Sequence, residues 1–208
     1  MRNPWEEISL YDYENHMSLD SVNQLQTMNA IMKAQFDEFP TETAMILGIA
    51  GGNGLEHIRT EKYRTVYGID INKAYLEKIR ERYPMLKDVL RLMCLDLTRE
   101  ADRLPAAELA IANLLVEYIG YQAFAKAIRQ IGPKYVSCVI QVNGDKENWV
   151  SESPYLHAFD RLDEIHHQME ENALELSLDE IGYNKILRSC ESLPNGKALV
   201  RLDFKRID

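Results

Sequence analysis

Residues 44–70 read AMILGIAGGNGLEHIRTEKYRTVYGID, and this stretch decides the fold. The apolar run at residues 44–50 is too short for a helix, which predicts a strand buried on both faces. Next come Gly51, Gly52, Asn53 and Gly54, which lack bulk or tolerate positive φ. The pattern then predicts a helix from about Leu55 to Lys62 and a second strand at residues 65–69, with Asp70 at its carboxyl end.

Asp70 is placed to bind a ribose. It lies 16 positions after Gly54 (70 minus 54), where a carboxylate can accept hydrogen bonds from both ribose hydroxyls. Ligands bind at the carboxyl ends of the strands in parallel sheets, and a glycine loop lets the backbone approach them closely. The stretch therefore predicts a nucleoside-containing cofactor. The alternative is a tight strand-to-helix turn with a solvated Asp70.

Residue 57 bears on which cofactor this is. The nicotinamide fingerprint needs a small residue three places after Gly54, and His57 occupies that place, which argues against NAD. Residues 46–54, ILGIAGGNG, resemble motif I of the class I S-adenosylmethionine-dependent methyltransferases, with Gly48 replacing the usual acid and Ala50 the first glycine. The resemblance implies S-adenosylmethionine as cofactor. It assigns the methionine end to the loop (Gly48, Ala50, Gly51, Gly52 and Gly54) and the ribose to Asp70, with Ile71 beside it.

The composition fits one ordinary domain of 208 residues. The net charge of -9 opposes contacts with phosphate, so no nucleic-acid partner is expected. No apolar run approaches the roughly 18 residues of a membrane span, and no signal peptide is recognisable, so a cytoplasmic location without a membrane contact is expected. Cys94, Cys138 and Cys190 are predicted to be buried free thiols, and no metal site is predicted. The oligomeric state stays open, a homodimer being one alternative.

Residues 1–43 are predicted to form a helical lid and residues 44–208 the catalytic domain. The segment YENHM, residues 13–17, resembles lids of small bacterial single-domain methyltransferases. That resemblance implies that Tyr13, His16 and Met17 line the methionine end of the cofactor. Two interpretations of His16 stay open: a contact to cofactor or substrate, with a role as general base, or a surface histidine that caps a backbone group.

Three further strands are predicted, at residues 89–94, 108–113 and 135–142, with a helix over Lys73–Arg82 capped by Asn72 and another at residues 121–130. By position in the family, Asp96 and Leu97 would lie beside the adenine, although Asp96 also fits an ordinary turn. Residues 108–120, ELAIANLLVEYIG, resemble motif IV, which places Asn113 and Leu114 beneath the methyl group. Glu117 would then be a base or orient an acceptor amine; the alternative is a solvated glutamate.

After the fifth strand, an irregular segment carries Trp149, Tyr155, His157 and Phe159, where relatives insert structure that contacts the substrate. We expect acceptor contacts there. His166 and His167 are adjacent, so on a helix their side chains point about 100° apart and do not readily share a metal. They are predicted to lie on a helix surface.

The end of the chain predicts an antiparallel hairpin, with strands at residues 185–193 and 197–205 around Pro194, Asn195 and Gly196. Class I methyltransferases end with such a hairpin. The predicted fold is an α/β three-layer sandwich with a Rossmann-like, seven-stranded, mostly parallel sheet. The predicted function is methyl transfer from S-adenosylmethionine to an oxygen or nitrogen of a small molecule. The alternatives are a noncatalytic cofactor-binding or scaffolding protein, a protein or RNA methyltransferase, and a NAD-dependent oxidoreductase.

Overall fold

A computed structural model describes residues 2–142 and 150–207 of the chain. Its strands are β1 (Thr43–Leu47), β2 (Thr65–Asp70), β3 (Leu90–Cys94), β4 (Leu109–Asn113), β5 (Tyr135–Val142), β6 (Tyr183–Ser192) and β7 (Ala198–Arg206). Its α-helices are α1 (Leu10–Ser18), α2 (Gln24–Glu38), α3 (Lys73–Arg82), α4 (Val116–Ile131) and α5 (Glu171–Asp179). Among the described residues, no helix is long and apolar enough to cross a membrane.

The seven strands form one sheet in the order β3-β2-β1-β4-β5-β7-β6. The first five strands pair in parallel, whereas β7 runs antiparallel to both β5 and β6. The predicted fold class, including the final hairpin with its last strand between the fifth and sixth, is confirmed.

Alternating side chains of the central strands pack against two helical layers. On β1, Ala44 and Ile46 join the apolar cluster that contains buried residues of α2 and α3. Met45 and Leu47, which point to the other face, join the cluster that contains buried residues of α4 and α5. Because both faces are covered, the central strands consist almost entirely of apolar residues.

The prediction of a helix at residues 55–62 is wrong, because the chain forms only a single 3-10 turn there, at Leu55–His57. Contacts with α2 explain the difference. The Asn29 side-chain amide donates hydrogen bonds to Asn53 Oδ1 (3.0 Å) and Glu56 Oε1 (2.6 Å). These bonds fix the segment against α2, and tertiary contacts of this kind override weak helix propensity.

Other differences concern element boundaries and burial. Strand β1 ends at Leu47 because Gly48 adopts a φ of +72°. Helix α4 begins before the predicted residue 121 and is kinked at Gly120. The prediction that all three cysteines are buried is wrong, since Cys94 and Cys190 are exposed and only Cys138 is buried. The exposed pair lie on β3 and β6, the two edges of the sheet.

Replacing Gly54 by alanine should destabilise the fold by roughly 2–4 kcal/mol. Gly54 has a φ of +87°, and a Cβ there would lie 2.6 Å from Met32 Cβ of α2. Gly196 offers a matched control, because its φ is +79° but nothing lies within 4 Å of the added Cβ. Urea unfolding of both variants separates backbone strain from steric overlap. Equal losses would contradict the close approach of α2 to the loop.

Candidate active site

A cavity opens at the carboxyl edge of the parallel strands and holds about 1210 Å³ of space not filled by atoms, part of it open to solvent. The strand ends supply its floor: Gly48 and Ala50 after β1, Asp70 and Ile71 from β2, Leu95, Asp96 and Leu97 after β3, and Asn113, Leu114, Leu115 and Glu117 from β4 onward. The N-terminal segment contributes Asn3, Trp5, Tyr13, His16 and Met17. Strand ends that are distant in sequence thus meet at one place, as expected for a parallel sheet.

Asp70 stands at the centre of this floor and is oriented by backbone donors. Its Oδ2 accepts a hydrogen bond from the Ala50 N–H (2.8 Å) and its Oδ1 from the Asn72 N–H (2.8 Å). Burial raises the pKa of the Asp70 carboxyl to about 6. No lysine or arginine among the described residues forms an ion pair with it. A carboxylate has about four lone-pair sites, so acceptor capacity remains for a ligand beside these backbone donors.

The glycine loop divides into a part that lines the cavity and a part that packs against the protein. Gly48 and Ala50 line the cavity, whereas Gly51, Gly52 and Gly54 do not. A Cβ on Gly51 would meet the Glu14 carboxylate, one on Gly52 the Leu55 side chain, and one on Gly54 Met32. The missing side chains of these last three glycines therefore make room for the protein itself, and their binding of the cofactor stays a prediction.

Backbone strain is concentrated at the same edge. Three non-glycine residues of the described ranges have positive φ, and two of them, Ala50 (φ 46°) and Leu114 (φ 53°), line the cavity. Such conformations cost about 1–3 kcal/mol each and cluster at functional sites.

The polar side chains predicted on β4 and after β3 are already engaged. Asn113 exchanges hydrogen bonds with the Gln35 amide of α2 in both directions, at 2.9 and 2.8 Å. Asp96 Oδ1 accepts from the Thr98 N–H (2.9 Å) and hydroxyl (2.6 Å). Both residues line the cavity, but these bonds hold their side chains in place. A ligand would therefore contact backbone groups here and neighbouring side chains such as Leu97 and Leu114.

Glu117 is a buried acid on the wall formed by α4, with only 4% of its surface exposed. Its Oε1 accepts a hydrogen bond from the Gln141 N–H (2.9 Å), whereas its Oε2 has no hydrogen-bond partner. Burial raises the pKa of this carboxyl to about 7. The alternative of a solvated glutamate is therefore wrong.

The N-terminal segment that carries Trp5, Tyr13, His16 and Met17 covers the cavity, and we call this segment the roof. Tyr13 packs between the rings of Trp5 (5.9 Å between centroids) and Tyr75 (6.4 Å), and burial raises the pKa of its phenol. His16 is 2% exposed, its Nδ1 lies 2.6 Å from Ser153 Oγ, and burial lowers its pKa, so the imidazole is neutral at pH 7. A surface histidine is thereby excluded.

Ion pairs and hydrogen bonds fasten this roof to the domain. Glu14 of α1 pairs with Arg82 of α3, and Glu7 pairs with Arg161 of the 3-10 segment Leu156–Glu164. The Asn72 side chain also donates a hydrogen bond to the Trp5 carbonyl (2.9 Å). The roof is therefore attached at both sides of the cavity.

Some lining residues were not expected from the sequence: Trp5, Gln24, Tyr118, Gln141, Val150, Leu162, His166 and Lys197. Lys197 is 8% exposed, and burial lowers its pKa to about 8. His166 follows the 3-10 segment rather than lying on a helix, so its predicted place on a helix surface is wrong. No local sign in the sequence indicated that His166 lines the cavity, because its ring packs against that of Tyr118 (5.9 Å between centroids), which is distant in the chain.

Of Tyr155, His157 and Phe159, the described residues predicted to contact the acceptor, Phe159 lines the cavity, as do Val150 and Ser151 of the same segment. His157 is exposed and lies 3.2 Å from the Asp160 carboxylate, and Tyr155 packs against Tyr11 (6.2 Å). Trp149 lies outside the described residues. Within the described ranges, no group of three or more His, Cys, Asp or Glu side chains is arranged to hold a metal ion.

Solved structures share this architecture. Geranyl diphosphate methyltransferase in complex with SAM matches with a TM-score of 0.67 and 12% identity over 87% of this chain and 85% of that chain. Magnesium protoporphyrin IX methyltransferase from Synechocystis PCC 6803, with bound SAM, matches with a TM-score of 0.61 and 11% identity over 98% of this chain and 90% of that chain. The chain has the class I methyltransferase fold.

The methyltransferase fold does not fix the reaction. The 4+2 cyclase SpnF also matches, with a TM-score of 0.65 and 11% identity over 86% of this chain and 80% of that chain. No protein-family model and no curated protein matches the sequence. The activity therefore has to be argued from the site.

Proposed function

We propose that this chain binds S-adenosylmethionine and transfers its methyl group to an oxygen or nitrogen of a small molecule. The observation that carries the proposal is Asp70. It lies at the carboxyl edge of β2 in the wall of the cavity, oriented by two backbone N–H groups and without an ion-pair partner among the described residues. Such a carboxylate suits the two hydroxyls of a ribose.

Individual residues receive roles in this proposal. Asp70 holds the ribose, with Ile71 beside it. Leu95 and Leu97 supply apolar surface for the adenine near Asp96, and Gly48, Ala50 and Leu114 lie along the methionine end. S-adenosylmethionine supplies a methyl group already activated on a sulfonium, so the protein has to align the acceptor and exclude water.

The roof completes the proposed site. Of the predicted lid, residues 1–43, the described part through α1 acts as the lid, with Tyr13 and Met17 closing the methionine end, whereas α2 packs against the sheet. His16 faces the same cavity in a neutral form and is our candidate to accept a proton from the acceptor, provided that its Nε2 carries the lone pair.

The class of acceptor and the location belong to the same proposal. The net charge of -9 disfavours a nucleic-acid substrate. Exposed free thiols at Cys94 and Cys190 suit a reducing compartment, which favours the cytoplasm.

Titration calorimetry with S-adenosylhomocysteine and with NAD⁺ tests the cofactor assignment. We expect S-adenosylhomocysteine to bind with a dissociation constant in the micromolar range or below and NAD⁺ to give no measurable heat of binding. Heat from NAD⁺ alone would make the chain a dinucleotide-binding protein. No heat from either ligand would favour a noncatalytic protein.

A further inference from the structure

Three carboxylates line the described part of the cavity, and they differ in how their oxygen atoms are satisfied. Both Asp70 oxygens accept hydrogen bonds from backbone N–H groups. Asp96 is bonded to Thr98, and its other oxygen lies 3.5 Å from Arg99 Nε. Glu117 alone of the three has an oxygen, Oε2, that is buried without a hydrogen-bond partner.

A buried acceptor without a donor costs free energy, so this atom indicates a missing partner. The uncompensated burial also raises the pKa of Glu117 to about 7. A cationic N–H donor on a ligand would satisfy Oε2 and ionise the carboxyl at once. The S-adenosylmethionine of our proposed function carries such a donor in the α-ammonium group of its methionine part.

The end of β1 provides no carboxylate for this ammonium group. Residue 48 is a glycine with a φ of +72°, and a Cβ there would lie 3.1 Å from Leu115 Cδ1. A longer side chain at residue 48 is therefore disfavoured both by its backbone conformation and by the leucine that fills the space. Among the cavity residues described, the acid beyond Leu115 is Glu117.

The order of the strands agrees with this assignment. Asp96 follows β3, Asp70 ends β2, and Glu117 follows β4, while β1 lies between β2 and β4. Two strand spacings, roughly 10 Å, therefore separate the ends of β2 and β4. The part of the extended cofactor that runs from its ribose hydroxyls to its α-ammonium group is of comparable length. The apolar Leu115 lines the floor between the two acids and suits its methylene groups.

We propose that Glu117 Oε2 binds the α-ammonium group of the cofactor, a contact that Gly48 cannot make because it has no side chain. This inference rests on the proposed function. Glu117 thereby belongs to the cofactor's methionine end rather than, as the sequence predicted, to the acceptor.

Two ligands distinguish binding of the α-ammonium group by Glu117 from a general effect of Glu117 on the cavity. S-adenosylhomocysteine carries the α-ammonium group, and 5′-methylthioadenosine has the same nucleoside and thioether without the amino-acid part. Glu117→Gln keeps the shape of the side chain and an oxygen for the Gln141 N–H. By calorimetry, the variant should bind S-adenosylhomocysteine about 10-fold to 100-fold more weakly than the wild type and 5′-methylthioadenosine with an affinity unchanged within about threefold.

Unchanged affinity of Glu117→Gln for S-adenosylhomocysteine would overturn the inference and leave the proposed function standing. Equal losses for both ligands would also overturn it, because the effect would then not depend on the ammonium group. If the wild type bound neither ligand, the proposed function itself would fail. Retained binding of 5′-methylthioadenosine in the variant shows that its cavity is folded.

Discussion

Replacing Asp70 by asparagine should weaken the binding of S-adenosylhomocysteine by about 30-fold or more, because two charge-assisted hydrogen bonds to a ribose are lost. The carboxylate offers both oxygens to hydroxyl donors, whereas the amide keeps one oxygen and turns a second donor toward the ribose. Asparagine still accepts one of the two backbone bonds that Asp70 now receives from Ala50 and Asn72. Calorimetry on both proteins measures the difference.

The control for this experiment is Asp102→Asn, the same change of charge at an exposed acid that does not line the cavity. Its affinity for S-adenosylhomocysteine should equal that of the wild type. Thermal unfolding of both variants establishes that they are folded. If Asp70→Asn bound as tightly as Asp102→Asn, the nucleoside would have to lie away from β2.

Glu117→Gln should flatten the dependence of stability on pH in the protein without ligand. In the folded chain the pKa of Glu117 is raised from 4.5 to about 7 by burial, so the folded state binds the proton more tightly than the unfolded state. The free energy of unfolding of the wild type should therefore fall as the pH rises from about 4.5 to about 7, by up to about 3 kcal/mol from this group.

Urea unfolding at pH 5 and pH 8 measures this contribution as the difference between the wild type and Glu117→Gln. Asp70, whose pKa is also raised by burial, acts in the same direction, but it is present in both proteins and cancels in the comparison. Parallel profiles for the two proteins would mean that Glu117 is not buried as an unpaired acid.

Elements were predictable from the sequence where local signals agreed with one another. The helix over Lys73–Arg82 has its cap, since Asn72 Oδ1 accepts from the Ala74 N–H (3.0 Å), and its predicted bounds are confirmed. The hairpin was predictable because Gly196 supplies the positive φ that the turn needs. The failure at residues 55–62 has the opposite cause: the bonds from Asn29 come from a helix distant in sequence, and no local pattern contains them.

In the candidate site, too, residues marked by a local pattern were predictable and residues brought in from distant parts of the chain were not. Asp70 ends β2 and Glu117 lies in the first turn of α4, shortly after β4, so spacing and motif resemblance could predict that both belong to the cavity wall. Lys197 and Trp5 reach the cavity only because the hairpin and the N-terminal segment fold over it, and no local pattern in the sequence marks either residue. The sequence could not show which glycines of the loop make room for neighbouring side chains, because a glycine that admits a side chain and one that admits a ligand look alike in a sequence.

A crystal structure with S-adenosylhomocysteine tests the central claim most directly, namely that the carboxyl edge of β1, β2 and β4 binds an adenosine-containing cofactor. We expect density for the ligand in the cavity beneath Tyr13, with both ribose hydroxyls within hydrogen-bond distance of the Asp70 carboxylate. Density at another place, or a ribose that makes no contact with Asp70 in a fully occupied site, would contradict the account.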